Sequence, residues 1–312
     1  MPAGRSGESE IVKPRQTTLD RAVACQGIGL HSGAPATLTL RAAKPDSGIV
    51  FVRTDVDPLV ATVAAVASNV VDTTLSTTLA NAAGTRVATV EHVLATLNGL
   101  GIDNAVVEID GPEVPIMDGS AEPFVALVNR AGIKTQASQR RPLEVRRSIE
   151  VRRGDKWARI EPAPAFAIDV TIDFEARAVA RQRHELVLDP ERFAREIARA
   201  RTFGFADEVE HLRASGLARG GSLDNAVVVA GDRILNEDGL RYADEFVRHK
   251  VLDCLGDFYL AGAPILGRVA AFCTGHKLNH ELIATMLADP TAWYRADPID
   301  APAHARPLVS AG

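Results

Sequence analysis

Two short stretches, Thr89-Val90-Glu91-His92 and His249-Lys250-Val251-Leu252-Asp253, hold between them two imidazoles, a carboxylate at ligating spacing and a second carboxylate free to act as a base. On a helix advancing roughly 100° per residue, His249 and Asp253 stand one above the other on the same face, the arrangement for gripping one ion. His92 supplies a third ligand from a different segment. Three protein ligands with one open position are the pattern of a hydrolytic zinc, whereas a structural zinc is closed by four. The open position would take a water, and Glu91, next to His92, is placed to remove its proton.

For these groups to meet, each stretch must be helical. Val90, Val93, Leu94 and Leu97 recur at helical spacing and Gly99 and Gly101 can end the run, which predicts a helix over Val90–Leu97 with Glu91 and His92 in its first turn. A second helix is predicted over Ala243–Leu260. With His249 at zero, Asp253 falls at about 40°, Asp257 at about 80° and Lys250 at about 100°, while Val251, Leu252, Leu255, Phe258 and Tyr259 cover the opposite arc. A solvated polar stripe is the plainer reading of such a face. Against it, a surface helix gains from Lys/Glu pairs, whereas His and four-spaced Asp gain little unless a cation sits over them.

His276 falls between an expected strand and an expected helix, an edge where functional side chains gather. With His280 it makes a second four-spaced metal pair, a solvated helix start, or one proton-carrying histidine beside an incidental one; Asp257 is suited to keep it cationic in the last case. The run Gly27-Ile28-Gly29-Leu30-His31-Ser32-Gly33 has the wrong glycine spacing for a dinucleotide fingerprint and is followed by a strand at Ala36–Leu40, so it reads as a turn that presents His31. Glu113 and Asp118 lie in an irregular Pro- and Gly-containing loop, and nothing in sequence tunes them apart as a glycosidase pair.

The 312 residues are 46% hydrophobic and 24% charged, the profile of a soluble globular chain long enough for two domains. A net charge of −5, with no dense Lys/Arg run, argues against nucleic acid as a partner. No stretch of roughly 18 apolar residues is present to span a bilayer and the N-terminus lacks a signal-peptide core, so the expected location is cytoplasmic. Cys25, Cys254 and Cys273 are scattered, which leaves His and carboxylate to hold any metal.

The expected class is α+β. Residues 1–16 read as a flexible tail, 17–136 as a first domain, 142–288 as a second, and 289–312, rich in Ala, Pro and Asp, as a loose extension. The polar segment Lys134–Pro142 marks the junction. Strands are expected at Ala36–Leu40, Ile49–Arg53 and Ala105–Ile109 in the first half, and at Glu144–Val151, Ala167–Phe174, Ala226–Ala230 and Arg268–Cys273 in the second. In each half a ligand-bearing helix follows strands and precedes another, which suggests a duplicated unit.

The blocks Thr89–Asn104, Pro115–Phe124, Ala200–Phe205, Leu235–Asp257, Gly275–Asn279 and Gly27–Gly33 together resemble the UDP-3-O-acyl-N-acetylglucosamine deacetylases, the zinc amidases of lipid A synthesis, and the resemblance runs from about Thr17 to Ala288. It implies zinc on His92, His249 and Asp253, Glu91 as general base, His276 as the cationic acid with Asp257 as its support, Thr202 as a hydroxyl near the oxyanion, and Phe203 and Lys250 as substrate contacts. It also implies two tandem β-α-α-β layered domains of similar topology, each with a small insertion, and the site between them. In the second half a βαβ insertion around 203–229 would wall an acyl passage, with Phe203, Phe205, Val209, Leu212, Leu217 and Leu223 as candidates that ordinary core packing explains equally well. The implied partner is an acylated UDP-N-acetylglucosamine; the chain itself is expected to be a monomer. The chain departs from the family at its Ala/Pro-rich ends and in the polar Thr73-Thr74-Leu75-Ser76 patch. Two rivals keep this fold: a sugar-nucleotide or lipid binder without catalysis, and a zinc amidase for another acylated sugar. A pure binder has no need of Glu91, His276 and Asp257 together.

Overall fold

Along Pro35–Ala42 the threonines face outward while Leu38 and Leu40 are fully buried, the period-two burial of a strand with one face on a core. The computed structural model describes residues 14–295. In the first half these form β1 (Arg15–Leu19), β2 (Val23–Ile28), β3 (Pro35–Ala42), β4 (Ile49–Arg53), β5 (Thr62–Ala64), three short strands β6 (Val70–Asp72), β7 (Thr78–Ala80) and β8 (Arg86–Val87), α1 (Glu91–Gly99), β9 (Ala105–Ile109), α2 (Glu122–Ala131) and β10 (Ile133–Gln139). The second half continues with β11 (Leu143–Val145), β12 (Ile149–Arg153), β13 (Lys156–Glu161), β14 (Phe166–Asp173), β15 (Arg181–Val187), α3 (Pro190–Arg192) and the π-helical turn Phe193–Ile197. It ends with β16 (Phe203–Phe205), α4 (Val209–Ala214), β17 (Val227–Ala230), β18 (Arg233–Ile234), α5 (Glu245–Tyr259), β19 (Ile265–Phe272), α6 (His276–Ala288) and β20 (Trp293–Arg295).

The two halves repeat one topology. The first sheet runs β2-β3-β9-β4-β5 and the second β12-β13-β19-β14-β15. In each, one pair is parallel, β4 with β9 and β14 with β19, and every other pair along that order is antiparallel. A parallel pair needs a crossover. Those crossovers carry α1 in the first half and α5 in the second, and α1 and α5 pack on each other. Further, α5 lies on β14 and β15 while α6 lies on β12 and β13. Phe51, Leu94 and Leu97 of the first half join Ile168, Leu255 and Phe258 of the second in one continuous apolar core.

Several expectations change. Most of the polar segment Lys134–Pro142, expected as the junction of the domains, is strand: Ile133–Gln139 is β10, paired antiparallel with β1. Its side chains form no apolar face because Gln136 hydrogen-bonds Asn104, itself held by Gln16, where a half-buried strand would place Val or Ile. Arg15 and Gln16, assigned to a loose tail, belong to β1; residues 1–13 lie outside the described residues. Likewise 293–295, assigned to a loose extension, form β20 against β11, and 296–312 lie outside the described residues. The single strand expected over Glu144–Val151 is two: β11 pairs with the start of β19, and β12 pairs with β13.

Candidate active site

The polar stripe of α5 is not solvated. His249, Asp253 and Asp257 are only 2%, 3% and 3% exposed; α5 packs on both α1 and α6, and Asp257 is covered by Thr77, His276 and Asn279. Burying three ionisable groups in one stripe is costly unless each finds a partner or a cation. Glu91 and His92, in the first turn of α1, are buried opposite them.

Among the described residues one set of donors is grouped tightly enough for an ion: one atom from each of His92, His249 and Asp253 lies within 4.8 Å of the other two. Oδ1 of Asp253 is 3.3 Å from Nε2 of His249 and 3.8 Å from Nε2 of His92, yet this buried oxygen has no hydrogen-bond partner. Nδ1 of His249 is 3.0 Å from the carbonyl of Ala200, so that nitrogen carries the proton and Nε2 presents a lone pair inward. Burial, then the nearby His249, push His92 down to about 3, and burial likewise lowers His249, so both imidazoles are neutral. Burial alone would raise the Asp253 carboxyl, but the positive charge that His249 carries when protonated, and that of Lys250, hold it well below the usual carboxylate range; once His249 is neutral, Lys250 remains as the cation on its Oδ2. Two neutral imidazoles and an unmatched anionic oxygen fit a divalent cation.

Beside this group stand the carboxyl of Glu91 and the imidazole of His276, both buried. Burial, with Asp257 and Asp253 adding to it, pushes Glu91 up to about 7, the range of a working base. Oε2 of Glu91 accepts the main-chain N–H of Thr77 at 3.0 Å, and its Oε1 is 3.9 Å from Nε2 of His276. Burial would lower His276, but Asp257 and Glu91 outweigh it and raise it to about 10. Oδ2 of Asp257 sits 2.9 Å from Nδ1 of His276 and accepts from Asn279 at 2.8 Å, while its Oδ1 accepts the Thr77 hydroxyl at 2.6 Å.

The remaining expected residues are placed less centrally. Lys250 donates to Oδ2 of Asp253 at 2.7 Å, with its Nζ 5.4 Å from the Phe203 ring centroid. Phe203 packs edge-on against Phe246 and, at 6.4 Å, against the His249 ring. Thr202 follows Ala200 by two residues, its main chain tied to Gly119 and Val227, and no hydrogen bond joins its side chain to the other groups among the described residues. His280 is not among the residues grouped closely enough to hold an ion.

Glu113 and Asp118 are not an acid pair. Glu113 accepts the main-chain N–H groups of His31 and Ser32 and the Thr89 hydroxyl, and Asp118 caps Ser120 and pairs with Arg241. The glycine-rich run completes β2 with Gly27 and Ile28 and then turns toward β3, with Gly33 at φ 66°. Sequence reasoning missed Thr77 and Asn279. Asn279 carried a signal, since it follows His276 by three residues and shares its helix face. Thr77 carried none beyond the polar patch that precedes it.

Residues 16–288 match the family model described as UDP-3-O-acyl N-acetylglycosamine deacetylase. The chain is 50% identical over 280 residues to the UDP-3-O-acyl-N-acetylglucosamine deacetylase of Shewanella sp. (strain W3-18-1), covering 89% of this chain and 91% of that one. It is 54% identical over 278 residues to the enzyme of the same name from Myxococcus xanthus (strain DK1622), covering 89% and 88%.

Proposed function

From the chain's membership of the UDP-3-O-acyl N-acetylglycosamine deacetylase family, we propose that it hydrolyses the N-acetyl group of a UDP-3-O-acyl-N-acetylglucosamine, releasing acetate and a free glucosamine amine in lipid A biosynthesis. The observation that carries this reading is geometric: Oε1 of Glu91 and Nε2 of His276 stand 3.9 Å apart, with Asp257 behind the imidazole, beside the grouped His92, His249 and Asp253 and the unmatched Oδ1 of Asp253.

A divalent ion, zinc in our reading, held by His92, His249 and Asp253 would supply Lewis acidity toward water and toward the amide carbonyl. Glu91 takes a proton from the attacking water as its oxygen bonds to the acetamide carbon. Charge then develops on the carbonyl oxygen, where cationic His276 and the Thr202 hydroxyl donate hydrogen bonds. As the carbon–nitrogen bond breaks, His276 gives its proton to the departing amine. Asp257, satisfied by Thr77, Asn279 and His276, orients the imidazole and favours its charged form.

The reading assigns residues 17–136 and 142–288 to the two tandem units and the acyl chain to the segment 203–229. In support, β16 and β17 run parallel with α4 between them, a β-α-β unit, and Phe203, Phe205, Val209, Leu212 and Leu217 are only partly buried while Leu223 is exposed. Phe203 and Lys250 line the substrate side of the centre. The reading places the enzyme in the cytoplasm; among the described residues no helix is long and apolar enough to cross a membrane. Acetate release from the acylated UDP-sugar, measured with metal stoichiometry and a chelator control, tests the proposal. Zinc bound without acetate release would instead mark a binding protein.

A further inference from the structure

The metal-ligating group is split between the halves: His92 comes from α1, and His249 and Asp253 come from α5. Something must set the distance between these helices. At their crossing, Gly256 faces the main chain of Glu91. A Cβ on Gly256 would fall 2.8 Å from the Glu91 carbonyl carbon, 2.9 Å from its Cα and closer still to its oxygen. These are backbone atoms of a buried helix, which no side-chain rotation can clear. One contact further, Asn98 of α1 donates from Nδ2 to the carbonyl of Leu255 at 2.8 Å.

We propose that the seam made by Gly256 on Glu91 and by Asn98 on Leu255 sets the spacing of the metal centre, so that Gly256 and Asn98 are positioning residues for its ligands. The place of the seam supports this. Gly256 lies one turn beyond Asp253, roughly 4.5 Å along the axis, and next to Asp257, while Glu91 is next to His92. Seating a methyl group at ordinary contact of about 3.5–4 Å requires α1 and α5 to part by roughly 1 Å. Metal ligation tolerates only about 0.2 Å. Displacement at the seam therefore exceeds what the centre absorbs, and His92 moves away from His249 and Asp253.

The inference rests on the metal reading above, and the test separates the two. Zinc affinity of the full-length protein is measured by competition with a chromophoric chelator, alongside thermal melting. Gly256→Ala is expected to weaken zinc binding roughly 10- to 100-fold, the range for losing ligand support. Asn98→Ala, which adds no volume, is expected to weaken it several-fold, as for one hydrogen bond, and it carries the test should Gly256→Ala not fold. Gly267→Ala serves as the control. Its Cβ would fall 2.7 Å from a Val145 methyl carbon in the second sheet, so it should lower the melting temperature yet keep parental zinc affinity. Parental affinity in Asn98→Ala, or equal weakening in Gly267→Ala, overturns the proposal, whereas a parent protein that binds no zinc overturns the metal reading instead.

Discussion

Oδ2 of Asp257 lies 2.9 Å from Nδ1 of His276, and both side chains are buried. His276 is the first residue of α6, where the positive end of the helix dipole disfavours a cation. Asp257 is therefore the group that keeps the imidazole charged, with Glu91 adding to it. Because the folded-state value is raised above the ordinary 6.5 to about 10, His276 is cationic below that range and loses its proton above it. If His276 must act as an acid, activity is retained on the acid side of this titration and lost on the alkaline side. A bound cation opposes protonation, so the alkaline limb should appear no higher than about 10. Replacing Asp257 by Asn removes the counter-charge, and the alkaline limb of the pH–rate profile should move to lower pH. An unmoved limb would rule out this role for Asp257.

Glu91 is buried and pushed up to about 7, which suits a base near neutrality. It is not a member of the group that could hold a metal ion. Glu91→Ala should thus keep its metal while turnover falls by roughly 10² to 10⁴. Elemental analysis and single-turnover kinetics on one preparation check both halves, and turnover close to the parent's would remove Glu91 from the mechanism.

How much of this site was legible in sequence depends on how local each relationship is. The alignment of His249, Asp253 and Asp257 follows from helical geometry alone, and the first-turn position of Glu91 and His92 follows from the apolar spacing behind them. Thr77 is different. Its N–H reaches Glu91 and its hydroxyl reaches Asp257, 180 residues away in the chain, a meeting created by the packing of the two halves and by no pattern near residue 77. The same divide runs through the fold. Ile49–Arg53 and Ala105–Ile109 are apolar enough to declare themselves as strands, but β10 is held by amide side chains and β20 has three residues, so neither carries a periodic signal.

Removing the metal should affect more than rate. Without it, the buried Oδ1 of Asp253 is left unmatched beside two neutral imidazoles, and any ion that binds only the folded state stabilises it by mass action. At a free concentration 100 times its dissociation constant that amounts to about 2.7 kcal/mol. Exhaustive chelation should abolish acetate release and lower the melting temperature together, and restoring zinc should recover both. A melting temperature indifferent to metal would argue against binding at this group.

Glu113 joins the glycine-rich turn to the start of α1. Its carboxylate accepts from the N–H of His31 at 2.8 Å, the N–H of Ser32 at 2.7 Å and the hydroxyl of Thr89 at 2.9 Å. Thr89, held at φ 56° two residues before Glu91, is a β-branched residue in the left-handed region and needs such a hold. The turn in turn receives the N–H groups of Arg219 and Gly220 from the second half. In Glu113→Gln the amide can accept at one oxygen only, and its NH₂ is set against a main-chain N–H, which strands one partly buried donor at a cost of about 1 kcal/mol. Glu113→Ala strands all three donors and should cost more. Denaturant unfolding of the three proteins should rank them parent, Gln, Ala. A Gln variant as stable as the parent would mean that the turn and the helix start hold their positions without this carboxylate.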